Sequence, residues 1–213
     1  MNFMFKVGFT KYYIHMVYPE KSQYYNKYAP CFDPDLKFFA TIDDTVIRDM
    51  ARQLNNQMPN RSTAYKAKAL LNFFHQNFTY ISDKDQFGID DVWEFPAQVI
   101  KVMRGDCDGL ALAYTSLAYN MGLDVMTLRY KDHMATAVCM EGKPEWDFYE
   151  SVNKKYFIID PSHHKSKVGL AVCKTPVIAF EIPVKPNESF RMKFTSTPQP
   201  YPPTYLQCFP PPY

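Results

Sequence analysis

"GDCDGLALAYTSLAYNMG", residues 105–122, decides the reading of the fold. A cysteine stands between two aspartates at the front of a run in which Leu110, Ala111, Tyr114, Leu117, Ala118 and Met121 recur at helical spacing, with Gly122 placed to end it. The spacing predicts a helix over residues 107–121, and the scarcity of charge along it makes this the most buried helix expected in the chain. A thiol at the start of such a helix meets the partial positive charge of unsatisfied backbone amides, which favours the thiolate. Asp106 and Asp108 oppose that effect unless they point elsewhere, so a cationic partner is needed.

Upstream, "WEFPAQVIKVMRGD" predicts a short helix with Pro96 in its first turn and Gly105 as its stop, delivering the chain to Cys107. Earlier still, Val46, Ile47, Met50, Ala51 and Leu54 share one helical stripe capped by Asp43 or Asp44. Ala67, Leu70, Leu71, Phe74 and Phe78 share another behind Ser62. His75 lies beside that second stripe and reads as a half-buried or solvent-facing helix residue. Residues 3–18, rich in Phe, Tyr, Val and Ile, suit one or two strands, followed by an irregular connection over 19–34.

After residue 122 the pattern changes to short β-prone runs, "DVMTLRY", "HMATAVCME", "KKYFIID", "VIAFEIP" and "FRMKFTS". Helices followed by strands predict an α+β fold. With 213 residues, one sizeable core is expected, divided as a strand-rich extension over 1–40, a core over 41–195 and a proline-rich tail over 196–213. The tail favours extended polyproline conformations and is a candidate ligand for a protein partner.

Composition excludes more than it names. Hydrophobic residues make up 46%, charged ones 22%, and 24 basic against 22 acidic side chains leave a net charge of only +2. That gives no field to hold nucleic acid or an anionic membrane. The N-terminal stretch is interrupted by Lys6, Lys11 and His15 and reads as strand rather than export signal, and no run reaches the roughly twenty uncharged apolar residues of a membrane span. A soluble cytoplasmic protein is expected. Cys31, Cys107, Cys139, Cys173 and Cys208 are odd in number and scattered, without zinc spacing, which fits a reducing interior.

His133, at the start of a predicted strand, is the candidate base for Cys107, and Asp160, closing the strand "KKYFIID", is the candidate that orients the imidazole. The gaps fit a helix followed by neighbouring antiparallel strands, with His133 and Asp160 side by side. Backbone amides at the Cys107 helix start are natural oxyanion donors, with Gln98, Trp93 or Tyr80 as side-chain candidates; Trp93 and Tyr80 read first as core aromatics. His163 and His164 read as solvated loop residues.

"WEFPAQVIKVMRGDCDGLALAYTSLAYNMGLDV", "DHMATAV" and "YFIIDPS" resemble the transglutaminase-like superfamily of thiol enzymes, especially its microbial branches, over about residues 62–183. The resemblance implies a papain-like core, with one active-site helix on an antiparallel sheet. It also implies a Cys–His–Asp triad, here Cys107, His133 and Asp160, that forms a thioester with an acyl donor. Gly109 stands where many relatives have a second acidic residue, so no cation site is expected; Asp106 and Asp108 read as capping and solvated residues. No cofactor or metal is expected. The expected function is cleavage of an amide or isopeptide bond in a peptide or protein, with hydrolysis favoured over cross-linking. The alternative is a catalytically silent binding or assembly module using its aromatic surface and tail. A thiol redox role would require Cys107 to meet a second cysteine such as Cys139.

Overall fold

The structure, a computed structural model, describes residues 1–17, 28–30, 42–151, 153–171, 176 and 178–181. The run "FRMKFTS" and the proline-rich tail lie outside them. Among the described residues no helix is long and apolar enough to cross a membrane.

The centre of the molecule is helix α5 (Cys107–Asn120). Its residues are buried without interruption from Asp108 to Ala118, so the one-sided stripe read from the sequence understates it. Other elements enclose it all round: α1 (Thr45–Gln57), α2 (Thr63–Asn77), α4 (Pro96–Val102) and the sheet strands β7 (Val125–Arg129) and β8 (Met134–Cys139) all pack against it. Gly122, at φ +80°, turns the chain out of the helix, a conformation that costs glycine little. The Tyr114 hydroxyl, wholly buried, donates to the Ala67 carbonyl of α2 at 2.9 Å. Tyr114→Phe is expected to cost about 1 kcal/mol by denaturant unfolding, the usual net value of one buried hydrogen bond.

The sheet behind α5 has five antiparallel strands in the order β11-β7-β8-β10-β9, adding β9 (Phe148–Ser151), β10 (Lys154–Ile159) and β11 (Ile178–Glu181). Val125, Met134, Val138 and Ile159 belong to the core shared with α5, whereas Met126, Leu128, Tyr130, Ala135, Ala137, Tyr156 and Ile158 form a second cluster. Alternate residues of each strand point to opposite faces, so the sheet is apolar on both. The threonines on the helix side form a hydrogen-bonded chain that ends on α5: Thr127 donates to Thr115 at 3.2 Å, the Thr115 and Thr136 hydroxyls are 2.8 Å apart, and Thr136 donates to the Ala111 carbonyl at 3.1 Å.

The N-terminal residues form the hairpin β1 (Asn2–Val7) and β2 (Thr10–His15), whose inward Phe3, Phe5, Tyr12 and Ile14 join the main core against Phe73, Phe74 and Phe78. A two-stranded ribbon has two unpaired edges, and both are closed here by side-chain amides. Gln76 and Asn77 of α2 bond Lys6 and Met4 on one edge, and Gln53 and Gln57 of α1 bond His15 and Tyr13 on the other. The helix caps fall on Asp44, which accepts from the Val46 amide, and Ser62, which accepts from that of Tyr65.

Two short pairings frame the start of α5. β3 (Tyr28–Pro30) pairs with β5 (Val92–Glu94), so residues 28–30 are strand rather than irregular connection. β4 (Thr79–Tyr80) runs parallel to β6 (Arg104–Gly105). Helix α4 begins at Pro96 as expected but ends at Met103, which takes the left-handed conformation at φ 55°. Gly105 is no helix stop: Thr79 and Ile81 draw residues 103–105 into backbone pairing.

Candidate active site

β8 and β10 are antiparallel neighbours with Thr136 opposite Ile159. Asp160 follows the last residue of β10 and His133 precedes the first of β8, so register alone puts them at the same end of the sheet. The His133 carbonyl accepts from the Tyr130 amide at 2.7 Å, closing the turn that presents the imidazole. His133 Nε2 lies 2.8 Å from Asp160 Oδ2. The other carboxylate oxygen accepts from the Ser162 amide at 3.0 Å and the Ser162 hydroxyl at 2.6 Å. Asp160 is 1% exposed. Burial alone would raise its pKa, but the hydrogen bonds from His133 and Ser162 outweigh that and hold it below the ordinary carboxylate value. A carboxylate accepts only, so the His133 proton sits on Nε2 and leaves Nδ1 as the free basic nitrogen.

Cys107 is the first residue of α5, half-buried, with a free thiol. Asp106 caps the helix, its Oδ1 accepting from the amides of Asp108 at 3.1 Å and Gly109 at 3.2 Å. The sulfur meets the backbone amide of Met134, the residue after His133, and feels the charge of Asp160. All three candidate residues are therefore gathered at one end of the sheet. The opposition expected from Asp106 and Asp108 outweighs the activation expected from the helix start. Burial pushes the Cys107 pKa well up, Asp106 and Asp108 push it further, and the Met134 amide offsets only part of this. At rest the group is a thiol. Cys139 lies on β8 against the second apolar cluster, on the sheet face away from α5, so the sheet stands between it and Cys107.

Of the oxyanion candidates, Trp93 of β5 is a core aromatic at 3% exposure and Gln98 of α4 is buried. Tyr80 departs from the expectation, being 48% exposed. The β4–β6 pairing sets it opposite Gly105, two residues before the cysteine. Its phenol is pushed above the ordinary value by burial and then by the ionisable groups Cys107 and Asp106, so it stays a protonated donor at this end of the molecule.

No family model matches the chain and no curated protein matches it.

The site also holds two carboxylic acids that the sequence reading passed over. Glu94 is 1% and Asp83 4% exposed. Asp83, first residue of α3 (Asp83–Phe87), accepts from the Val92 amide at 2.6 Å, and Gln86 donates to Glu94 Oε1 at 3.2 Å. Burial and then Asp106 push Asp83 up to about 7, and burial with Asp83 and Asp106 pushes Glu94 up to about 8. Asp108, expected to be solvated, is buried at 6% exposure and raised by that burial and by its carboxyl bond to Asp106. The glycines make room for this acid pocket: a Cβ at Gly109 would sit 3.2 Å from Val99 Cγ2 and 3.6 Å from Glu94 Oε2, and one at Gly105 3.4 Å from the same oxygen. Among the described residues no three His, Cys, Asp or Glu side chains are grouped to hold a metal ion. His163 and His164 are exposed, as expected of loop residues, and His75 is half-buried.

Proposed function

We propose that the chain is a thiol-dependent hydrolase of transglutaminase-like type, with a papain-like core, that cleaves an amide or isopeptide bond in a peptide or protein. The observation that carries this reading is the 2.8 Å bond from His133 Nε2 to Asp160, with the amide of the next residue, Met134, at the Cys107 sulfur. In the proposed reaction His133 Nδ1 takes the thiol proton as sulfur attacks the carbonyl carbon. Deprotonation on demand suits a thiol that is neutral at rest. The α5 amides and the Tyr80 hydroxyl are the donors available to the developing oxyanion. Collapse breaks the C–N bond, His133 returns the proton to the departing amine, and a thioester remains. Water then gives its proton to His133 and attacks the thioester, releasing the acid and restoring the thiol.

Incubating wild type and Cys107→Ala with a peptide and isopeptide library, and scoring released amines, tests the reading. Release by the wild type and its loss in the variant are expected; release that persists in Cys107→Ala removes the mechanism. One feature favours a second reading, a binding module on the same fold: the half-buried thiol is flanked by Asp106 and Asp108, which with its burial push its pKa up. That reading requires iodoacetamide to label Cys107 at the same rate with and without His133.

A further inference from the structure

Asp160 stands one residue past the end of the β10 ladder, so sheet pairing does not fix its backbone. A carboxylate that orients a catalytic imidazole must nevertheless hold its place, because a shift of about 1 Å costs on the order of a hundredfold in rate. The residue is gripped from behind. Ser166, 6% exposed, donates its hydroxyl proton to the Asp160 carbonyl. His75 Nε2 lies 3.2 Å from the same Ser166 oxygen, and its ring also reaches the Asp160 carbonyl.

We propose that His75 and Ser166 are positioning residues for the triad, clamping the main chain of Asp160 to helix α2 so that its carboxylate meets His133 in one geometry. The inference rests on the hydrolase reading above. Ser166 has a single proton, already given to the carbonyl, so its oxygen accepts from His75 and the imidazole carries its proton on Nε2. Burial, and then the neighbouring His164, push His75 below the ordinary histidine range, so the neutral ring is the working form near pH 7. The anchor is rigid: Phe73 and Phe74, immediately before His75 on α2, are both fully buried in the main core. Ser166 is itself held by its backbone N–H, which donates a hydrogen bond to the His163 carbonyl at 2.8 Å. The carboxylate end of Asp160 is thus set by Ser162 and His133, and its carbonyl end by Ser166 and His75.

The test uses the full chain, with iodoacetamide at pH 8 as the probe of Cys107 and proton NMR of the His133 Nε2–H as the probe of the Asp160 bond. Ser166→Ala and His75→Phe, the second keeping ring packing without the N–H, are expected to slow alkylation of Cys107 by about fivefold or more and to speed exchange of the His133 proton with water by about tenfold. Ser166→Thr, which keeps the hydroxyl, is expected to stay within about twofold of wild type on both. Should Ser166→Ala not fold, His75→Phe and Ser166→Thr carry the comparison. Alkylation and exchange unchanged in Ser166→Ala and His75→Phe, while His133→Ala slows alkylation, would overturn the clamp and leave the hydrolase reading standing. Alkylation unchanged in His133→Ala as well would remove both.

Discussion

Asparagine at position 160 is expected to lower turnover by about three to four orders of magnitude with the fold intact. The Ser162 amide and hydroxyl both donate to Oδ1 of Asp160. An asparagine there must present its carbonyl oxygen to those two donors, which turns its NH2 toward His133. His133 Nε2 then has to accept rather than donate, so its proton moves to Nδ1, the nitrogen that should take the thiol proton. The imidazole is held in place but in the wrong tautomer, a substitution that costs about 10⁴ in kcat in serine proteases. Turnover of a cleaved library peptide measures the loss, and imidazole nitrogen NMR reads the tautomer. Turnover within tenfold of wild type, or a proton still on Nε2, would refute the triad geometry.

The residues of the proposed triad could be picked out because each stands at an element boundary that local sequence marks: Cys107 behind a capping aspartate, His133 before an apolar run, Asp160 before a proline. The core helices were legible for the same kind of reason, since Asp44 and Ser62 cap them and their apolar residues keep helical spacing. β9 was not, because an edge strand whose residues alternate between exposed and half-buried carries little apolar signal. Nor was α3, five residues of a polar segment that Ser82 caps and Gly88 ends. The clamp on Asp160 joins residues 91 positions apart, beyond any local pattern. Asp83 and Glu94 are ordinary carboxylates by type, and only the packing of α3, β5 and α5 around them moves their titration up to the neutral range.

The last of these has a large consequence for stability. Glu94 shifts from its ordinary 4.5 to about 8 on folding. Between those values the folded chain holds a proton that the unfolded chain releases, so stability falls as pH rises from about 4.5 and the full cost is reached above about 8. A shift of this size in a group 1% exposed corresponds to ~5 kcal/mol. Asp83 acts in the same direction, up to about 7. His75 acts oppositely, because its lowered pKa makes stability rise with pH below about 6.5. Comparing wild type with Glu94→Gln cancels the His75 contribution, and because Asp83 is one of the charges that raise Glu94, the difference reports the glutamate together with its coupling to Asp83. Glutamine copies the shape and polarity of the protonated acid and still accepts from Gln86, so the variant is expected to match wild type near pH 4.5 and to exceed it by several kcal/mol at pH 9 in urea unfolding. The thiol gives a second readout: at pH 9 Glu94 is charged and lies within the same acid pocket as Asp106, whose charge already raises Cys107. Iodoacetamide should then react faster with Cys107 in Glu94→Gln than in wild type, with the ratio shrinking toward one as pH falls below 7. A stability difference that does not grow with pH would mean that the carboxyl is ionised in the folded protein and that water or a counter-charge reaches it between Gly105 and Gly109.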